Sequence, residues 1–220
     1  MGHNAGTKFV ASYSGGKDCV LAIYKAVKRG MNPLALITTY NTEQGRSWFH
    51  GVPEAALEAV ADSVGIPIWL IKTDGENYAR NFESTLRNAK KAGAQACVFG
   101  DIDIGEHIQW CADRCVNAGL EPVFPLYGHS RESIVGELLD CGFTAHITII
   151  DSGKLRDDLL GKTLTMETLK IIRSQGADIC GENGEYHTFV SNGPLFRMPV
   201  HFRFSEKIVI NNRSILPIVI

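Results

Sequence analysis

Apolar and polar positions up to residue 125 predict strands and helices in alternation. Short apolar runs, typical of buried strands, lie at 9–13, 34–40, 66–71, 96–100 and 122–125. Between them, apolar residues recur at helical spacing over 19–29, 53–64, 78–92 and 105–118. Strands that are apolar throughout, separated by helices, predict a doubly wound α/β fold with a five-stranded parallel sheet.

The pattern changes after about Leu126. Helices are predicted at 131–140 and 165–175 and a strand at 143–150. The tail predicts a hairpin with strands over 200–210 and 215–220 and a turn at 211–214. We therefore expect two domains, 1–126 and 127–220, of which the second is a smaller α+β domain.

A glycine turn joins the first predicted strand to the first predicted helix. It reads Ser14-Gly15-Gly16-Lys17-Asp18. Backbone N–H groups and the positive end of a helix converge at such a turn, and glycines let the backbone approach an anion closely. Lys17 adds a positive charge, which we expect to be mobile and exposed on the loop. The turn predicts a phosphate site beyond the carboxyl ends of the strands.

Composition and charge narrow the functional classes. The 220 residues are 45% hydrophobic and 21% charged, enough for a substantial core, and the formal net charge is −2. That balance does not indicate binding of long nucleic acids, and no run approaches the length of a membrane span. The segment Met1–Gly6 lacks the pattern of a signal peptide, so a cytoplasmic location is expected. Six cysteines without a C-x-x-C pair are expected to be free thiols.

The spacing of the turn excludes two common phosphate loops. It matches neither the Walker loop nor the G-x-G-x-x-G dinucleotide loop. It resembles the signature of the PP-loop (N-type) ATP pyrophosphatases, with Cys19 where that family usually has serine. This resemblance implies an adenine nucleotide α-hydrolase-like (HUP) sheet and cleavage of ATP between the α and β phosphates.

A second polar segment makes the resemblance more specific. Cys180–Thr188 reads C-G-E-N-G-E-Y-H-T and resembles the diphthine–ammonia ligase family. Four further stretches resemble other segments of that family, at 47–51, 100–102, 125–127 and 159–161. The resemblance implies an ATP-dependent ligase, in which a substrate carboxylate is adenylated, pyrophosphate leaves, and ammonia displaces AMP to form an amide.

The resemblance and the chemistry of the residues together predict the site. Catalytic roles are expected for Lys17, Asp18, Asp101, Glu182, Glu185 and His187. ATP is expected to contact Ser12, Ser14, Gly15, Gly16, Lys17, Asp18, Thr38, Tyr40 and Gly100. The acceptor is expected to contact His50, Glu182, Glu185, Tyr186 and His187, and Mg²⁺ to be held by Asp18 and Asp101. A glutamate or histidine on the acceptor side would take the proton that ammonia loses.

Some residues and the acceptor are left open by the sequence. His50 also fits a packing role beside Trp48 and Phe49, and Glu106 and His107 also fit a solvated helix start. The His107–Trp110 stretch, without basic residues, resembles bacterial members of the family. The acceptor carboxylate is then diphthine, a corrinoid-type metabolite or another molecule.

Two other functions remain as alternatives. A PP-loop tRNA-modifying enzyme would be expected to show a basic RNA-binding face, and a non-catalytic ATP sensor would release no AMP. The expected partners are the carboxylate acceptor and ammonia, without nucleic acid or membrane, and a homodimer is possible.

Overall fold

The computed structural model describes residues 6–220; residues 1–5, part of the segment assessed above for a signal peptide, lie outside the described residues. The described chain divides into two compact units. Unit 1 comprises residues 6–14, Asp18–Trp48 and Gly65–Gly128. Unit 2 comprises Gly15–Lys17, Phe49–Val64 and His129–Ile220. The predicted domain boundary after residue 126 stays a prediction.

Unit 1 is built on a sheet with five parallel strands. The sheet contains β1 (Lys8–Ser12), β2 (Asn32–Asn41), β4 (Ile68–Thr73), β5 (Ala96–Val98) and β6 (Glu121–Val123), and short β3 (Arg46–Ser47) pairs antiparallel with β2. The parallel strands run in the order β4-β2-β1-β5-β6. The strand order therefore reverses between β1 and β5, which is where ligands bind in open α/β sheets. The predicted doubly wound parallel sheet is confirmed.

Helices connect these strands, with bounds close to those predicted. They are α1 (Lys17–Lys28), α3 (Tyr78–Lys91) and α4 (Gly105–Ala118). Val10, Ile37 and Phe99 belong to one apolar cluster with residues of α3 and α4. Phe9 and Leu36 sit one position away, point to the opposite face of the pleated sheet, and are also buried. Both faces of the sheet are therefore covered, as its continuous apolar strands predict.

Unit 2 is an α+β assembly around an antiparallel sheet and is about the same size as unit 1. Its strands run β10-β11-β7-β8, and its helices are α2, α5 and α6. The bounds are β7 (Thr144–Asp151), β8 (Tyr186–Asn192), β10 (Ile208–Ile210), β11 (Arg213–Ile215), α2 (Glu54–Val64), α5 (Arg131–Asp140) and α6 (Met166–Ser174). Ile147 and Phe189 are fully buried on facing strands of this sheet. The predicted second, α+β part of the chain is confirmed.

The C-terminal tail differs from the single hairpin that was predicted. Asn211 and Asn212 have positive φ values of 47° and 60°, so the turn takes only two residues, and β11 begins inside the predicted turn. The predicted strand over 200–210 is broken into β9 (Arg203–Phe204) and β10. β9 pairs with β12 (Ile218–Val219), whereas β10 pairs with β11. Strand β8 was not predicted, because its first residues are polar.

Within residues 6–220, no helix has the length and apolar character needed to cross a membrane. All six cysteines are free thiols, as predicted, and five of them are buried.

Candidate functional site

The glycine loop of unit 2 runs along strand β8. The Val190 N–H donates to the Gly15 carbonyl oxygen at 2.9 Å, and the Lys17 N–H donates to Thr188 Oγ1 at 3.1 Å. Gly15 has a φ of 88°, which side-chain-bearing residues rarely adopt. The loop is therefore held at both ends by the segment that contains the second polar motif.

Gly16 leaves the space that the imidazole of His50 occupies. A Cβ at Gly16 would overlap Cε1 of His50 and lie 3.0 Å from its Nδ1. His50 Nδ1 is 3.0 Å from the carbonyl oxygen of Thr188. Because a carbonyl oxygen only accepts, Nδ1 of His50 carries the proton, and in the neutral ring the lone pair is on Nε2. His50 is thus oriented by a backbone contact rather than by packing alone.

His187 lies beside His50, with a ring-centroid distance of 4.7 Å. Its Nε2 is 3.3 Å from Nη1 of Arg213. Since a guanidinium group only donates, Nε2 of His187 accepts and its Nδ1 carries the proton. Burial, followed by the charges of His50, Arg213 and Lys17, lowers the pKa of His187 to about 2. The ring is therefore neutral at physiological pH.

Lys17 is buried, which corrects the expectation of an exposed loop cation. Its exposed fraction is 5%, and its Nζ lies 5.4 Å from the centroid of the Tyr186 ring. An ammonium group over an aromatic face is attracted by the ring quadrupole, more strongly where water is excluded. No local sequence pattern indicates this burial, because Tyr186 is far along the chain.

Glu185 is also buried, and its carboxylate faces its own loop. Oε1 accepts from the Asp178 N–H at 3.3 Å and from Asn183 Nδ2 at 3.2 Å. Oε2 accepts from the Asn183 N–H at 3.0 Å. Next to it, the Tyr186 hydroxyl donates to the Ile179 carbonyl oxygen. These bonds shape the turn that leads into β8.

Asp178 and Arg131 hold the same turn, and sequence reasoning missed both. Asp178 accepts from the backbone N–H groups of Cys180 at 3.1 Å and Glu182 at 3.0 Å. Its Oδ2 also accepts from Arg131 Nη1 at 2.7 Å. An aspartate that bonds the backbone two residues on is a common turn device, and this was the available signal for Asp178. The half-buried side chain of Glu182 follows this turn.

In unit 1, the start of α1 packs against the end of β5. A Cβ at Gly100 would lie 2.7 Å from the backbone nitrogen of Cys19 and 2.8 Å from the carbonyl carbon of Asp18. Cys19 Sγ lies 3.5 Å from both the N and the Oγ of Ser14. The Cys19 thiol, which stands where the PP-loop signature that the turn resembles has serine, therefore takes part in the local geometry of the loop.

Asp18 and Asp101 are electrostatic neighbours in unit 1. Burial raises the pKa of Asp101 and the charge of Asp18 raises it further, whereas His107 lowers it. Two carboxylates that repel each other are a donor pair that a divalent cation would stabilise. Within residues 6–220, no group of three or more His, Cys, Asp or Glu side chains is arranged to hold a metal. Any Mg²⁺ here would take its other ligands from phosphates and water.

Other predicted residues lie at the ends of the same sheet or farther away. Thr38 Oγ1 donates to the Tyr13 carbonyl oxygen at 2.7 Å, just before the loop. Ser12 ends β1. Tyr40 lies toward the β2–β3 turn, and its hydroxyl is 3.9 Å from the position of a Cβ at Gly45. Glu106 is exposed in the first turn of α4.

The predicted site residues thus form two groups. Unit 2 brings together Gly15, Gly16, Lys17, His50, Tyr186 and His187. Unit 1 brings together Ser14, Asp18, Gly100 and Asp101. Arg213 joins the first group from the C-terminal hairpin, and nothing in the sequence pattern pointed to it.

Comparison with known proteins identifies the family. The profile of the diphthamide synthase N-terminal domain matches residues 7–122, and that of the diphthamide synthase C-terminal domain matches residues 130–218. A zebrafish (Danio rerio) protein named diphthine–ammonia ligase is 21% identical over 96% of this chain and 92% of its own length. The human protein of that name is 22% identical over 96% of this chain and 88% of its own length.

A solved structure also aligns with the chain. It is described as the predicted subunit of a tRNA methyltransferase from Methanocaldococcus jannaschii. It aligns with a TM-score of 0.47 and 17% identity, over 86% of this chain and 98% of that one. The two domain profiles span nearly all of the described residues, and the chain therefore belongs to the diphthamide synthase family.

Proposed function

We propose that this protein is an ATP-dependent amide ligase. It adenylates a substrate carboxylate with release of pyrophosphate, and ammonia then displaces AMP. The observation that carries this proposal is the seating of Gly15–Lys17 on β8, with two oriented imidazoles beside the loop. Membership of a family with ligases among its curated relatives supports it.

The loop would bind the phosphates of ATP. Gly15 and Gly16 let the backbone approach them, and the Lys17 ammonium, in surroundings with little water, would stabilise charge on the departing pyrophosphate. In unit 1, Ser12, Ser14, Thr38, Tyr40 and Gly100 are the proposed contacts of the rest of the nucleotide.

Asp18 and Asp101 would hold Mg²⁺, since their donor set fits a hard cation. When bound, the ion would neutralise charge on the phosphates. Burial, followed by the charge of Asp18, raises the pKa of Asp101, and the positive charge of a bound cation would oppose that rise.

During attack by ammonia, the lone pair on His50 Nε2 would accept a proton. As the new N–C bond forms and the C–O bond to AMP breaks, the nitrogen carries one proton too many. His50 Nε2 would accept it, because Nδ1–H is already committed to the Thr188 carbonyl oxygen. Neutral His187 would contribute a hydrogen-bond donor at Nδ1.

Glu185 and Tyr186 would act by shaping the acceptor side. The Glu185 carboxylate is engaged by N–H donors of its own loop, which argues for positioning rather than proton transfer. The ring of Tyr186 would help to position the Lys17 ammonium group, which lies over its face. Glu182 is proposed to contact the acceptor.

The experiment measures AMP, pyrophosphate and amide formation with ATP, Mg²⁺ and ammonium. Acceptors are diphthine-bearing elongation factor, free diphthine, and pools of corrinoids and small carboxylates. AMP that appears only with an acceptor, in equal amount to the amide, supports the ligase. ATP binding without AMP from any acceptor would favour the sensor, and AMP formed only with tRNA would favour a tRNA-modifying enzyme.

A further inference from the structure

Arg213 reaches the acceptor side of unit 2 from a remote part of the chain. It is the first residue of β11, directly after the Asn211-Asn212 turn. Its register partner in β7 is Asp151, next to Ile150, which pairs with Tyr186 in β8. This register places Arg213 near the start of β8, where His187 also lies.

The guanidinium group contacts His187 and makes no ion pair with the described residues. Nη1 lies 3.3 Å from His187 Nε2, and Nη2 lies 3.7 Å from the position of a Cβ at Gly184. The neighbouring Asp151 accepts from the Gly153 N–H at 2.9 Å through Oδ1. Among residues 6–220, no carboxylate lies within ion-pair distance of Arg213.

A second cation lies in the same region. Lys17 and Arg213 both act electrostatically on the His187 ring. In the function proposed above, Lys17 is assigned to the phosphates of ATP. Arg213, which is exposed, has four further N–H donors to offer to a second anion.

We propose that Arg213 is the specificity-determining residue that binds the carboxylate of the acceptor, with the His187 contact fixing the guanidinium in place. This proposal rests on the proposed function. A guanidinium fork matches a carboxylate by two parallel hydrogen bonds, and a group already held by one contact loses less freedom on binding. Conversion of the carboxylate into an amide removes the negative charge, so the product binds more weakly and leaves.

The kinetic test compares R213A and R213K with the matched control R203A, which removes an exposed arginine elsewhere in unit 2. With an acceptor found in the screen, R213A is expected to raise the KM for the acceptor roughly tenfold to a hundredfold. The KM for ATP and the melting temperature are expected to stay close to the wild-type values. R213K keeps the positive charge but lacks the forked donors of the guanidinium group, so its KM for the acceptor is expected to lie between those of the wild type and R213A. An unchanged acceptor KM, or an equal rise in both KM values, would overturn the proposal.

A second measurement does not require turnover. In protein labelled with ¹⁵N-histidine, acetate is titrated as a minimal carboxylate and acetamide as its neutral counterpart. Acetate is expected to shift the His187 Nε2 resonance saturably in the wild type and in R203A, but not in R213A, and acetamide is expected to have no effect. No shift in the wild type would refute the role of Arg213. If acetate shifts the resonance but no acceptor in the screen leads to AMP, Arg213 binds a carboxylate and the proposed ligase function is wrong.

Discussion

The imidazole rings of His50 and His187 lie 4.7 Å apart, and each has a ring nitrogen engaged by a different partner. The Thr188 carbonyl oxygen fixes the proton of His50 on Nδ1, and the Arg213 guanidinium fixes that of His187 also on Nδ1. Both neutral rings are therefore the same tautomer, with the lone pair on Nε2. The lone pair of His187 accepts from Arg213, and that of His50 is the one proposed to accept the proton from ammonia.

The neutral state of the half-buried His187 ring predicts a pH-dependent stability. The unfolded ring binds a proton below its usual pKa of about 6.5, whereas the pKa of the native ring is lowered to about 2. The unfolded state thus binds more protons in this window, and the free energy of unfolding falls as the pH drops from about 6.5. By about pH 4.5 the loss from this group approaches about 2 to 3 kcal/mol.

Urea unfolding at a series of pH values measures this loss. H187Q is expected to flatten the dependence, whereas H129Q, at an exposed position, is expected to keep the wild-type slope. Equal slopes for H187Q and the wild type would show that His187 is protonated in the native protein.

Substitution of Gly16 is expected to displace His50. In G16A the new methyl group occupies the place of the imidazole, so the bond to the Thr188 carbonyl oxygen is lost. We expect destabilisation by about 1 to 3 kcal/mol and a larger loss of amide formation than of AMP formation. The control is G136A in α5. A Cβ at Gly136 would have no other side chain or distant backbone atom within 4 Å, and helix propensity predicts a gain in stability of about 0.5 to 1 kcal/mol. A G16A enzyme with wild-type amide yield would remove His50 from the ammonia step.

A substitution of Lys17 can separate the role of its charge from the role of its apolar stem. K17M keeps an apolar stem over Tyr186 but removes the ammonium group. We expect ATP turnover to fall about a hundredfold or more, because the buried positive charge proposed to stabilise the departing pyrophosphate is lost. K162M, at an exposed position of unit 2, serves as control. Turnover within a few-fold of the wild type in K17M would exclude the lysine from phosphate chemistry.

Glu185 is expected to act through the shape of its loop. E185Q places an amide NH₂ among the N–H donors of Asp178 and Asn183, at a cost of about 1 to 3 kcal/mol. Because the turn as a whole is disturbed, AMP and amide formation should decline together. E206Q, which changes an exposed glutamate, should alter neither. Retained adenylation with selective loss of the amide would instead assign Glu185 to proton transfer from ammonia.

The sequence was most informative where structure depends on local pattern. The alternation of apolar runs predicted the parallel sheet, and helices α4 and α5 begin and end where their periodicity predicted. The glycine turn was found because its glycines and lysine are adjacent. The burial of Lys17, by contrast, depends on Tyr186, and the ion pair of Arg131 with Asp178 joins residues 47 positions apart. Such contacts arise when distant parts of the chain come together, and they produce no repeating pattern of residues in the sequence. Arg213 was missed for the same reason.

The seating of the glycine loop on β8 has a consequence for the solubility of the chain. Strand β8 is the last strand on its side of the unit 2 sheet, and such edges can pair with strands of other molecules. Here the outward N–H of Val190 and carbonyl oxygen of Thr188 are bonded to Gly15 and His50. The segment proposed to hold ATP therefore also shields a sheet edge from aggregation. Loosening the loop would uncover this edge whether or not the protein is catalytically active.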